Sequence, residues 1–189
     1  ITFRVEIDDP LPAGAIQVAN QGFVESNELP DEPTDDPSTP VDDDPTILVV
    51  TEEALLAVTK VDSLVDDNNH DGAAGAGDIL LYDVHILNPG HVDVTGVVFH
   101  DTPGANTTLV VGTVHASQGL VVSGNNPGDT SVTVNVGTVP HHATVTITFR
   151  VRVNTPVPEG ISFVANQGVV GANEVPGAAS DDPATPEAH

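Results

Sequence analysis

Residues 1–40 recur, slightly altered, at residues 147–186. ITFRVEIDDPLPAGAIQVANQGFVESNELPDEPTDDPSTP aligns without a gap on ITFRVRVNTPVPEGISFVANQGVVGANEVPGAASDDPATP, with 22 of 40 positions identical. Self-similarity at one fixed offset, here 146 residues, is the mark of a tandem array built from one repeated folding unit. The front copy matches only the tail of a unit, so the chain is expected to open partway through one and then to contain one complete unit. The expected divisions are residues 1–24 as the last two strands of a preceding repeat, 25–46 as a linker, 47–178 as the complete repeat and 179–189 as the start of the next linker.

Within the complete unit, apolar residues alternate with period two. Val145, Ile147, Phe149, Val151 and Val153 share one face of ATVTITFRVRV, and Val132, Val134 and Val136 share another. Leu80, Tyr82, Val84 and Ile86 repeat the pattern, which is that of half-buried strands. Gly and Pro clusters punctuate them at Asn88-Pro89-Gly90, Thr102-Pro103-Gly104 and Gly124-Asn125-Asn126-Pro127-Gly128. Turn chemistry at this spacing predicts an all-β, Ig-like antiparallel β-sandwich, repeated with the 146-residue period. The chain has no Cys, Met or Trp and few aromatics, so the core is expected to be Val, Ile, Leu and Ala, held without disulfides.

Four basic residues face 28 acidic ones, for a formal net charge of −24. Such a surface does not hold nucleic acid or an anionic membrane, both of which require Lys and Arg. It favours cations, above all Ca²⁺, which takes oxygen ligands. No stretch approaches the roughly 18–20 continuous apolar residues of a membrane-spanning helix, and the start lacks the basic and apolar regions of a signal peptide. Residues 25–45 carry nine carboxylates and five prolines. Proline without glycine, among like charges, predicts an extended, semi-rigid spacer.

The motif with the clearest chemistry runs from Asp67 to Asp78. Asp67-Asn68-Asn69-His70-Asp71-Gly72 fits D-x-[DN]-x-[DN]-G, with an acid at the twelfth position. Asp67, Asn69 and Asp71 supply side-chain oxygens at positions one, three and five, Ala73 its backbone carbonyl, and Asp78 closes the shell of a Ca²⁺ loop. A strand pattern follows Asp78, which excludes a true EF-hand. The alternative is an Asx-rich turn that needs no metal.

Enzyme signatures are absent: no nucleophile elbow, phosphate loop, Cys nucleophile or dinucleotide fingerprint occurs, so no catalytic activity is expected. The eight His residues are scattered and form no zinc motif. Lys60 is the only lysine and falls on the first strand of the complete unit; Asn166 falls in VANQG near its end. In surface-protein sandwiches a Lys and an Asn on terminal strands, with a buried acid such as Asp101, can close an isopeptide bond. Adjacency is not legible in sequence, and the expectation is that Lys60 and Asn166 remain separate side chains.

Leu56-x-x-Thr59-Lys60, Gly77-Asp78 leading to Tyr82, Asn88-x-Gly90, Val97 leading to Asp101, and Asn166-Gln167-x-x-Val170 follow one another in order. This run resembles the Ig-like conserved repeat domain of large bacterial and archaeal surface proteins, a domain of unknown function, over residues 54–170 and 1–24. The resemblance implies an extracellular, tandemly repeated structural module whose partners are other copies of the repeat or subunit. A Ca²⁺-stabilised segment of a surface or fibre-forming protein is therefore expected. The alternative is an adhesin recognising a glycan or host surface, although the chain offers no aromatic platform for sugar stacking.

Overall fold

The computed structural model describes residues 1–8, 11, 15, 17–50 and 53–184. The chain divides into two compact units, Ile1–Glu53 and Ala54–His189. No helix occurs among the described residues; the fold is all-β, as expected.

In the second unit two antiparallel sheets face each other. The first has the order β5 (Ala57–Asp66), β6 (Ile79–Leu87), β12 (Thr144–Val153) and β8 (Thr107–Leu109), with β9 (His115–Ala116) also on β12. The second runs β10 (Leu120–Ser123), β11 (Val132–Val139), β7 (Val94–Asp101), β13 (Gly168–Gly171) and β14 (Ala178–Ala179). The alternating residues meet between them: Val84, Ile86, Ile147, Phe149 and Val151 from one sheet, Val97, Phe99, Val132 and Val134 from the other, all fully buried. β-branched side chains suit such a pleated, half-buried surface.

β7 departs from strict alternation. Its register with β11 shifts around Gly137, and Gly96 has a φ of 62°, a left-handed conformation that glycine adopts without a Cβ penalty. The irregularity changes the parity of the strand, as a bulge does. Val94 faces inward before it; Val97, Phe99 and Asp101 face inward after it.

The sandwich extends beyond its expected end. β13 pairs with β14, and Asp181 bridges to Thr59 of β5. Lys60 N–H donates to the Asp181 carbonyl at 2.8 Å, and Asp181 N–H to the Val58 carbonyl at 2.9 Å. Residues 179–181 therefore belong to the fold rather than to a linker.

The first unit repeats this terminal hairpin. β2 (Phe23–Val24) pairs with β3 (Glu32–Pro33) in the register Phe23↔Pro33 and Val24↔Glu32, which is Val169↔Ala179 and Val170↔Ala178 moved by one repeat. Its bonds repeat too. Gly22 N–H donates to Thr34 Oγ1 and Gln21 Nε2 to the Thr34 carbonyl, as Gly168 N–H does to Ser180 Oγ and Gln167 Nε2 to the Ser180 carbonyl. The acidic segment is thus not the simple spacer expected over residues 25–46. It folds back, with Gln21 Nε2 also donating to the Asp43 carbonyl at 2.6 Å and Thr39 Oγ1 to Asp44 Oδ2 at 2.7 Å. β4 (Thr46–Val49) pairs with β1 (Gln17–Asn20), so residues 47–49 join the first unit rather than the sandwich. Residues 1–8 form no strand, contrary to expectation, and Ile1, Phe3 and Val5 are exposed. Their counterparts in β12 lie between β6 and the β8–β9 edge.

Candidate functional site

On β5 the inward parity is set by Val58, and Lys60, two residues on, shares it. Lys60 is only 4% exposed. Its Nζ lies 4.1 Å from the Tyr82 ring centroid and 5.3 Å from that of Phe149. Those rings are themselves in contact, with centroids 5.3 Å apart. A cation over aromatic faces is attracted by the ring quadrupoles, but loss of hydration is the larger effect. Burial pushes the Lys60 ammonium below the ordinary lysine range, and the Asp101 carboxylate opposes that shift. Burial likewise pushes the Tyr82 phenol up to about 12.

The Lys60 partner comes from the opposite sheet. Asp101, the last residue of β7, is 1% exposed, and its Oδ2 accepts from Lys60 Nζ at 2.5 Å. Its other oxygen, Oδ1, accepts from Asn166 Nδ2 at 2.8 Å. One carboxylate therefore joins a lysine of the first sheet to an asparagine lying two residues before β13 in the second.

Two glycines allow the Asn166 segment to come this close. A Cβ on Gly104 would sit 1.8 Å from the Ala165 carbonyl oxygen, and one on Gly168 would sit 2.5 Å from the Phe99 ring and 3.0 Å from Asp101 Oδ2. Gly168 is also the register partner of Asp101. An open depression of about 540 Å³, lined by Lys60, Asn166, Gln167 and Ser180 among others, leads from the site to solvent. The single lysine is thus buried and paired. Its parity with Val58 is the sequence signal that indicates burial.

The expected Ca²⁺ residues cluster in the loop between β5 and β6, and their side chains bind the loop's own amides. Asp67 accepts from His70 N–H at 2.7 Å and Gly72 N–H at 2.8 Å, and these bonds, that from Gly72 foremost, hold its carboxyl below the usual range. Asn69 Oδ1 accepts from Asp71 N–H, and Asp71 Oδ1 from Ala73 N–H. Asp78, 1% exposed, accepts from Asn68 and Gly75 N–H at 2.8 and 2.7 Å. Among the described residues no group of three or more His, Cys, Asp or Glu converges as a metal site. The donor chemistry suits Ca²⁺, since each carboxylate oxygen keeps a second lone pair after accepting one amide. The same bonds also close the loop as a run of Asx turns. His141 and His142 stack edge to face, as do His91 and His142, and His141 N–H donates to Asp93 at 3.0 Å. Tyr82 is in the core, 6% exposed.

No helix among the described residues is long and apolar enough to cross a membrane. No protein-family model matches the chain, and no curated protein matches it. Among solved structures it is similar to BcpA, the major pilin subunit of Bacillus cereus, in two crystal structures. The identity is 13%, the TM-score 0.46, and the match covers 87% of this chain and 54% of that one. It is also similar to an inactive mutant of an exo-β-N-acetylglucosaminidase from Vibrio harveyi, at 10% identity and a TM-score of 0.36, over 67% of this chain and 18% of that one. The chain thus spans about half the length of the pilin subunit that it matches.

Proposed function

We propose that this chain is an extracellular structural segment of a long surface or fibre-forming protein, in which each repeat is completed by a neighbouring repeat or subunit. The observation that carries this reading is the front hairpin. In the complete unit the equivalent hairpin, β13–β14, is docked on β7 through Gly168↔Asp101 and Val170↔Phe99. Asn173 and Glu174 fasten it further by bonding Thr95. The front copy keeps the same register and the same Asn-Glu pair, Asn27 and Glu28. Among the described residues of its unit, β2 pairs with β3 and with no β7-like strand. An open sheet edge with exposed Phe23 and Val24 invites strand addition from another copy.

Ca²⁺ at Asp67, Asn69, Asp71, the Ala73 carbonyl and Asp78 belongs to the same reading. It would neutralise the clustered carboxylates and order the connection between β5 and β6. The test is assembly of the purified chain, followed by light scattering and electron microscopy, with Ca²⁺ or with chelator. Elongated particles that depend on added Ca²⁺ are expected. A chain that stays monomeric in both conditions and binds a glycan array would replace this reading with the adhesin one.

A further inference from the structure

We propose that Lys60 and Asn166 are joined by an intramolecular isopeptide bond, formed by the folded chain itself with Asp101 as the proton carrier. Three features of the site lead there. Both nitrogens that exchange places on the Asn166 carbonyl carbon, Lys60 Nζ and Asn166 Nδ2, are hydrogen-bonded to the two oxygens of one buried carboxylate. The amine lies against Tyr82 and Phe149 and away from water, where burial shifts the balance from the ammonium toward the neutral, nucleophilic form. The segment bearing Asn166 is seated without slack by Gly104 and Gly168, the kind of fixed geometry that makes reaction within a folded chain fast.

The step balances without any co-reactant. Lys60 passes a proton from Nζ to Asp101 Oδ2, and the freed lone pair attacks Asn166 Cγ. The Asp101 carboxyl delivers that proton to Nδ2, and the Cγ–Nδ2 bond breaks. The second proton, shed by the newly bonded Nζ, passes through the Asp101 carboxylate to the departing ammonia, which leaves as ammonium through the depression beside Ser180 and Gln167. The products are a secondary amide and one ammonium ion, with the Asp101 carboxylate restored, so the chain is lighter by one ammonia. Nothing is oxidised or reduced, and no water is consumed. The bond ties β5 of one sheet to the segment entering β13 of the other, closing nearly the whole sandwich into one covalent ring.

A buried, uncrosslinked ion pair is the competing account of the same contacts. The sequence offers a clean discrimination, because Lys60 is the only lysine and Asn20 is the equivalent of Asn166 in the front copy. Intact mass spectrometry of the denatured wild-type chain should give a mass one ammonia below that of the sequence. Trypsin should then fail to cleave after Lys60 and should leave the segment containing Asn166 attached to the one containing Lys60. Lys60→Met and Asn166→Ala should each restore the full mass, and Asn20→Ala should not. Wild-type chain at full mass, with normal tryptic cleavage after Lys60, overturns the proposal whether or not any variant folds. A loss of ammonia that survives Lys60→Met also overturns it, since that loss would be cyclisation at an asparagine.

Discussion

Asp101 illustrates how much one side chain is asked to do in this fold. It accepts from a lysine on one sheet and from an asparagine on the approach to a strand of the other. A charge left buried without its partner is costly, whereas a paired one is tolerated. In a chain carrying Asn166→Ala, where Lys60 and Asp101 stay paired without a crosslink, adding Asp101→Ala is expected to destabilise by about 3–5 kcal/mol, read from urea unfolding. Asp101→Ala with little effect in that background would show that the pair is solvated rather than buried. Gly168 makes a second residue-level prediction. A methyl there meets the Phe99 ring and Asp101 itself, so Gly168→Ala should cost about 1–3 kcal/mol as overpacking does. The same substitution should slow or prevent the ammonia loss, which intact mass read on the same sample would show.

At the scale of elements, the loops of the sandwich are held by carboxylates that accept backbone amides. In the turn between β10 and β11, Asp129 Oδ2 accepts from Gly124 N–H at 2.6 Å and Asn126 N–H at 2.9 Å. These bonds, that from Asn126 foremost, hold its carboxyl below the ordinary value of 3.8. With the folded value below the unfolded one, the unfolded chain binds more protons in the interval between them. The contribution is therefore complete above 3.8 and lost as pH falls through the lowered folded value. Melting followed from neutral to strongly acid pH should show a shallower acid limb in Asp129→Ala than in the wild type; identical limbs would mean that this turn is held by something else. The bulge in β7 belongs to this scale as well. Without the shift at Gly96, His100 rather than Asp101 would follow Val94's parity into the core, and no carboxylate would stand opposite Lys60.

For the whole molecule, the net charge of −24 opposes compaction through self-repulsion, and cations relieve it. Chelation is expected to lower the melting temperature by several degrees if the loop from Asp67 to Asp78 holds Ca²⁺, since about 1–2 kcal/mol moves a domain of this size that far. The same melt with and without chelator, repeated in Asp67→Ala, separates the loop from general screening: only the loop reading predicts that the variant loses the response. The proposed crosslink has a mechanical consequence for a fibre segment. Tension entering before Lys60 and leaving after Asn166 would pass through the bond and spare residues 61–165. Single-molecule extension of Lys60→Met should therefore gain roughly 350 Å of contour length over the wild type, at about 3.3–3.6 Å per residue. Equal contour lengths would show that the wild-type chain unravels freely.

Much of this architecture was legible in residue order alone. Period-two alternation marked the core faces of β6, β11 and β12, because a strand places every second side chain on the same side. The Gly and Pro clusters marked turns, and the internal repeat marked the terminal hairpin. The identity of the two copies runs past Val24 and Val170 through Asn27, Glu28, Pro30 and Asp35. That continuation shows the hairpin reaching into the acidic segment, although composition by itself reads as a spacer. What sequence left open was every relation between distant elements. Lys60, Asp101 and Asn166 stand 41 and 65 residues apart along the chain. Whether they meet depends on a bulge that reverses the parity of β7 and on two glycines that admit a neighbouring backbone. The alternation of a strand is local and follows from backbone geometry, but the facing of two sheets is decided by packing. Only the packed sandwich sets the only lysine and Asn166 on one carboxylate.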